Sequence, residues 1–221
     1  YKAENNFPKF KADSVDFVHT GYFNKPIRGR IEEQLEGAKD PEKYTFPKFR
    51  SYQRDFVIKD IMPGVDYSSS FMMNGSKFIS ASSKHPAKLV FYQDGKVRLT
   101  VSSMKFTITP ERMKAENAAV ALYITDEDSI SNTGILVRYN LADKQVMLIN
   151  DSKRNFYSPY IDTYHELDIY SESIIWKMDG NELLFSSLGT GGGKSINTVE
   201  SSNHHTYKKY DTIKGIEDRK S

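Results

Sequence analysis

Three stretches of this chain carry residue types that could do chemistry. Gly191-Gly-Gly-Lys194-Ser195 has the composition of a phosphate-binding loop. Such a loop needs a further glycine where Leu188 stands, and a helix-forming run after the serine. Ile196-Asn-Thr-Val-Glu200 is no such run, so a plain linker is the better reading. The second stretch, Asp126-Glu-Asp128-Ser-Ile-Ser-Asn132, offers oxygen ligands at alternating positions, a spacing that suits calcium. Asp126, Asp128 and Asn132 are the expected ligands, set against the simpler reading of a solvated turn. The third set is Arg138, Tyr139 and His165. A Tyr or His base beside an arginine could take a proton next to a uronate carboxylate, as a polysaccharide lyase does. Convergence requires neighbouring strands, and Arg138 and Tyr139 must point to opposite faces of theirs. The bland alternative places Tyr139 in the core and Arg138 on the surface.

The remaining reactive types are sparse. Five histidines show no ligand spacing, and the adjacent pair His204-His205 would face opposite ways on an extended segment. Zero cysteines exclude disulfides, thiolate metal sites and a cysteine nucleophile. Charge is balanced, 31 basic against 29 acidic residues, and no basic arm or stripe points to nucleic acid. The mean hydropathy of -0.60 describes a well-hydrated surface. The longest apolar run, Ala118–Ile124, is too short to cross a bilayer as a helix. The chain begins at Tyr1, which reads as an excised or processed piece of a larger protein.

The elements that must hold these residues are strands. From Phe56 onward, apolar alternation recurs at roughly ten-residue spacing, with Asn74-Gly75, Asp94-Gly95, Asn132-Thr-Gly134 and Asp179-Gly180 as turns. Leu167 and Ile169 alternate in one strand. Ser171-Glu-Ser173 reads as a tight turn, and Ile174, Trp176 and Met178 alternate in the next. A hairpin at Asp179-Gly180 then leads into Leu183, which predicts a three-stranded meander with Gly180 at positive φ. Gly29–Lys39 reads as a short helix, with Ile31 and Leu35 on one face, and Pro110–Glu116 as one helical turn. The expected fold is all-β: an antiparallel jelly-roll β-sandwich over 56–188. Residues 1–55 form an extension packed on it, and 189–221 a polar linker or tail. Both ends are expected to reach other domains or subunits.

The order of residues in the late hairpin carries a resemblance. His165 opening a strand, a short turn, then Ile174-x-Trp176-x-x-Asp179-Gly180 resembles the concanavalin A-like lectin/glucanase superfamily. The succession Asn132-Thr-Gly-Ile-Leu-Val-Arg138, then Lys144-Gln-Val-Met-Leu148, looks like its laminin-G-like branch. The resemblance implies a non-catalytic carbohydrate-binding or adhesion module of a surface, secreted or virion protein, with a glycan or polysaccharide as partner. Arg138, Tyr139, His165 and Trp176 are the candidate ligand-binding residues and calcium the expected ion; for His165 the resemblance equally implies a structural role, and for Trp176 a ring packed between the sheets, the reading preferred here over ligand stacking. Polysaccharide-degrading activity, lyase before hydrolase, is the alternative; a structural or assembly module is the third. The glucanases' Glu-x-Asp-x-x-Glu strand has no counterpart in Gly134–Asn140, which holds no acid.

Overall fold

Alternation of buried and less buried side chains runs through the central strands of the computed structural model, which describes residues 8–35, 43–80, 85–150, 158–186 and 197–202. The eighteen strands are β1 Lys9–His19, β2 Phe23–Gln34, β3 Lys48–Ser51, β4 Phe56–Met62, β5 Val65–Ser69, β6 Phe71–Asn74, β7 Lys77–Ser80, β8 Ala87–Gln93 and β9 Lys96–Ser103. They continue with β10 Lys105–Ile108, β11 Arg112–Tyr123, β12 Ser129–Asn140, β13 Gln145–Ile149, β14 Tyr160–Asp162, β15 Leu167–Tyr170, β16 Ser173–Lys177, β17 Leu183–Ser186 and β18 Thr198–Ser201. All pairings are antiparallel, and the described residues contain no α-helix. The fold is an all-β, jelly-roll-like sandwich.

Two long strands fold one hydrogen-bonded network into two layers. The first half of β11 pairs with β10 and its second half with β9, while β12 divides likewise between β13 and β14. Register shifts between Ala115 and Val120, with Asn117 at φ 49°, mark the bend. Sheet I therefore runs β1-β2-β3-β6-β7-β10-β11-β12-β13-β16-β17. Sheet II runs β4-β5-β8-β9-β11-β12-β14-β15-β18. Between β3 and β10 the chain lays two strands in one sheet, crosses, and lays two in the other. The inner faces interdigitate: Tyr67 of sheet II meets Phe78 of sheet I edge-on at 4.7 Å, and Phe91 meets Tyr139 at 5.5 Å.

Each crossing interrupts a hydrogen-bond ladder at the edge of the core, and a buried serine stands there. Ser51 Oγ donates to the Gln53 carbonyl and accepts from Phe71 N–H. Ser80 Oγ joins Met104 O to Phe106 N–H in the same way, and Ser103 Oγ joins Glu116 O to Lys105 N–H. Ser171 and Ser173 donate to Ser173 O and Ser186 O. A hydroxyl can donate and accept at once, so it replaces the missing strand partner.

Three expectations fail here for one physical reason, that pairing partners far along the chain override local pattern. Gly29–Lys39 does not begin a helix: its described part lies in β2, where Ile27, Gly29 and Ile31 face inward between β1 and β3. Pro110–Glu116 is likewise no helical turn: Pro110 and Glu111 lie in the bend before β11, and Arg112–Glu116 is its start. The meander is absent, because β15 belongs to sheet II and β16 to sheet I, so Ser171-Glu172 is a crossing rather than a hairpin turn. Gly180 closes the β16–β17 turn by donating to Lys177 O, without positive φ. The described residues up to Ser51 enter sheet I through β1, β2 and β3. The glycine run 189–193 and residues 203–221 lie outside the described residues.

Candidate functional site

The outward faces of the two sheets differ, and the difference follows from register. On sheet I one row of directly opposed residues crosses ten strands: Arg30, Arg50, Met72, Ile79, Thr107, Lys114, Arg138, Met147, Ile175 and Leu184. It holds four bases and no acid. The corresponding row on sheet II is Asp66, Val90, Thr100, Ala121, Ser131, Ile161, Asp168 and Glu200, with three acids and no base.

The centre of the first row is a shallow cleft of about 850 Å³, lined by Lys77, Thr107, Arg112, Lys114, Arg138 and Met147 among others. Lys114 and Arg138 are direct cross-strand partners, both exposed. Like charges so placed destabilise a sheet by a few tenths of a kcal/mol to about 1. Glu116 offsets part of this, accepting from Lys105 at 2.6 Å and Lys114 at 2.7 Å; those bonds hold its carboxyl below the usual carboxylate range. Apolar groups flank the cations: Met72, Ile79, Met147 and Ile175 are half-exposed, and Leu184 keeps 61% of its surface in water. An outward sheet face facing only solvent carries polar residues at these positions.

The residues singled out from sequence scatter. Arg138 lies in the cleft. Tyr139, its neighbour, faces the core, and burial raises its phenol pKa. Trp176 is wholly buried, its indole N–H donating to Gly180 O at 3.1 Å. His165 sits between β14 and β15, its Nδ1 2.7 Å from a carboxylate oxygen of the buried Asp162. Of these four only Arg138 and its strand neighbour Tyr139 border one cleft, where Tyr139 is almost wholly buried; His165 and Trp176 lie elsewhere.

The acidic stretch also divides. Asp128 accepts from the Thr125 and Thr163 hydroxyls in the β11–β12 turn. Asn132 lies on the inner side of β12, its amide bonded to Ser158 O. Three residues beyond Ser129 on an extended strand is about 10 Å, too far for Asn132 to share an ion with that turn at calcium's 2.3–2.6 Å ligand distances. Among the described residues no group of three or more His, Asp or Glu side chains could hold a metal ion. No helix there is long and apolar enough to cross a membrane.

Sequence reasoning missed the basic–apolar row because its members come from ten strands. The local signal was the alternation Arg112-x-Lys114-x-Glu116 against Met113 and Ala115, which reads as a strand as readily as a helical turn.

No family model matches this chain, and no curated protein does. Among solved structures a match was found to LptH from Pseudomonas aeruginosa, described as the LptA homologous periplasmic component of the conserved lipopolysaccharide transport device. Identity is 13%, coverage 74% of this chain and 96% of that one, and the TM-score 0.34. At this degree of likeness nothing about function transfers. That match is to neither a lectin nor a glucanase, and the hairpin that carried the resemblance is divided between two sheets. The concanavalin A-like assignment is therefore corrected, together with the carbohydrate-binding and polysaccharide-degrading readings built on it.

Proposed function

We propose that this chain is a docking module of a larger assembly, and that the outer face of sheet I binds a neighbouring protein surface that is acidic and partly apolar. The observation that carries this is the row from Met72 to Leu184, with two cations side by side between apolar flanks. Such a row has a stability cost in the isolated chain, which a partner's carboxylates and apolar groups would offset. A protein partner is favoured over a lipid surface because the apolar groups lie within the pleat of a sheet. No described loop lifts them clear for insertion into acyl chains. The proposed setting is outside the cytoplasm, at a cell or virion surface, where a cysteine-free sandwich holds without disulfides.

The test is reversal of both cations, Lys114→Glu with Arg138→Glu, in the chain expressed in its native source. The variant should keep the wild-type melting temperature within a few degrees and lose co-purification with its stoichiometric neighbour. A parallel flotation with phosphatidylglycerol vesicles should show no binding. Unchanged co-purification, or binding to the vesicles that the reversal abolishes, would overturn the proposal.

A further inference from the structure

At the end of the sandwich where the chain passes from β3 to β4 and from β5 to β6, a second cleft of about 670 Å³ opens. Its lining includes Arg30, Arg50, Arg54, His85, Ser70 and a single acid, Asp55. Among the described lining residues three guanidinium groups stand against one carboxylate. Arg30 and Arg50 are direct cross-strand partners on β2 and β3, so two fixed cations are held together by backbone pairing rather than by flexible side chains alone.

Ser70 supplies an independent observation. It is 4% exposed, and its Oγ has no hydrogen-bond partner. The comparison within this molecule is direct: Ser51, Ser80, Ser103, Ser171 and Ser173 occupy equivalent crossings, and every one of their hydroxyls is bonded. The Ser70 carbonyl is satisfied by the Tyr67 phenol at 2.6 Å, so only the hydroxyl is left over. A buried unpaired hydroxyl costs roughly 1–3 kcal/mol unless something binds it. Ser70 itself is one of the residues lining the arginine-bearing cleft, with its hydroxyl buried behind that wall.

We propose that this cleft binds a tetrahedral oxyanion, a phosphoryl or sulfuryl group, with Arg30 and Arg50 as bidentate donors, Arg54 closing the rim and Ser70 Oγ donating from the floor. Guanidinium forks match the oxygen spacing of phosphate, and a hydroxyl completes the donor set. Asp55 disfavours a second anionic group on its side, so a single oxyanion fits better than an extended polyanion. Arg30 and Arg50 stand at the far end of the same outer row of sheet I, beyond Met72, in a cleft that shares no lining residue with the Lys114–Arg138 cleft, so the site stands whether or not that cleft has a partner.

The experiment is isothermal titration of the full chain with inorganic phosphate and with inorganic sulfate, against chloride. Flotation with phosphatidylcholine vesicles doped with phosphatidic acid runs alongside. Saturable one-to-one binding is expected, weakened about tenfold or more by Arg50→Gln, as for loss of one charge-assisted bond. Ser70→Ala should weaken it several-fold, while Lys114→Gln, in the other cleft, should leave it unchanged. Arg30→Gln provides a second exposed substitution should Arg50→Gln disturb β3. Binding in solution assigns a free oxyanion. Binding to vesicles alone, still lost in Arg50→Gln, assigns a lipid headgroup carrying the same group. Absence of binding in both arms, or equal weakening by Lys114→Gln, would overturn the site.

Discussion

Substituting Gly29 by alanine separates a strand from a helix by the sign of its effect. Were residues 29–39 helical, Gly29→Ala would stabilise the chain by up to about 1 kcal/mol, since alanine is the better helix former. In β2, Gly29 faces inward opposite Ser51 and beneath the Phe49 ring. A Cβ there would overlap the Arg50 carbonyl oxygen and lie 2.5 and 2.8 Å from two Phe49 ring carbons. Phe49 is 1% exposed and stacks on Phe17 at 4.3 Å, close to Phe71. The ring cannot swing away without displacing both, and the carbonyl cannot move without opening the β2–β3 ladder. Overpacking of this kind costs typically about 1–3 kcal/mol. For a chain of this length that lowers Tm by roughly 2–12 °C. Thermal unfolding followed by circular dichroism reads it directly. A variant as stable as wild type, or more so, would refute the β2 assignment and with it the attachment of β1 to sheet I.

Other outcomes follow from the same packing. Trp176→Ala should destabilise by about 3–5 kcal/mol in denaturant titration, because the ring is wholly buried and its N–H holds Gly180 O; a loss below 1 kcal/mol would contradict its core position. Burial tends to raise the Asp66 carboxyl, but the Lys59 ammonium and Asp60 N–H outweigh it and hold the group below its ordinary value. Its stabilising effect is therefore full above about pH 4 and fades as pH falls through the lower folded-state value. Asp66→Asn should flatten the acid branch of the stability curve, and an unaltered branch would contradict the linkage. Burial raises the phenol pKa of Tyr67 and Tyr160 far above that of a free tyrosine. Their stability contribution should hold below about pH 10 and be lost at higher pH; ultraviolet titration should show both ionising only with alkaline unfolding. Arg138→Glu places opposite charges across β11 and β12 and should raise stability by a few tenths of a kcal/mol to about 1.

The legible part of the fold was its local part. Asp94-Gly95 announced a hairpin, and both residues do sit at positive φ between β8 and β9. Alternation located most strands after Phe56, and placed Arg138 and Tyr139 on opposite faces. What pattern could not show is which sheet a strand joins. Ser171-Glu172 looks like a turn between adjacent strands, yet one buried hydroxyl lets the chain change layers there. The helix former-rich run Arg30-Ile-Glu-Glu-Gln34 became a strand because Phe49 and Ala12, both opposite Ile31, offered partners that no local window contains. The docking row has the same character: the eight residues from Met72 to Leu184 are neighbours only through register. His165 and Trp176 were visible as chemistry-bearing residues, but their partners, Asp162 and Gly180 O, spend that chemistry on structure.

Site-specific photocrosslinking tests the docking face most directly. A photoreactive residue replaces Met147, on the outer face of sheet I, or Thr100, on the outer face of sheet II, in the chain within its native source. The Met147 position should crosslink in high yield to one protein species, the adduct vanishing when Lys114→Glu and Arg138→Glu are added, while the Thr100 position should give none. Equal crosslinking from both faces, or a Met147 adduct indifferent to charge reversal, would contradict the outer face of sheet I as the docking surface.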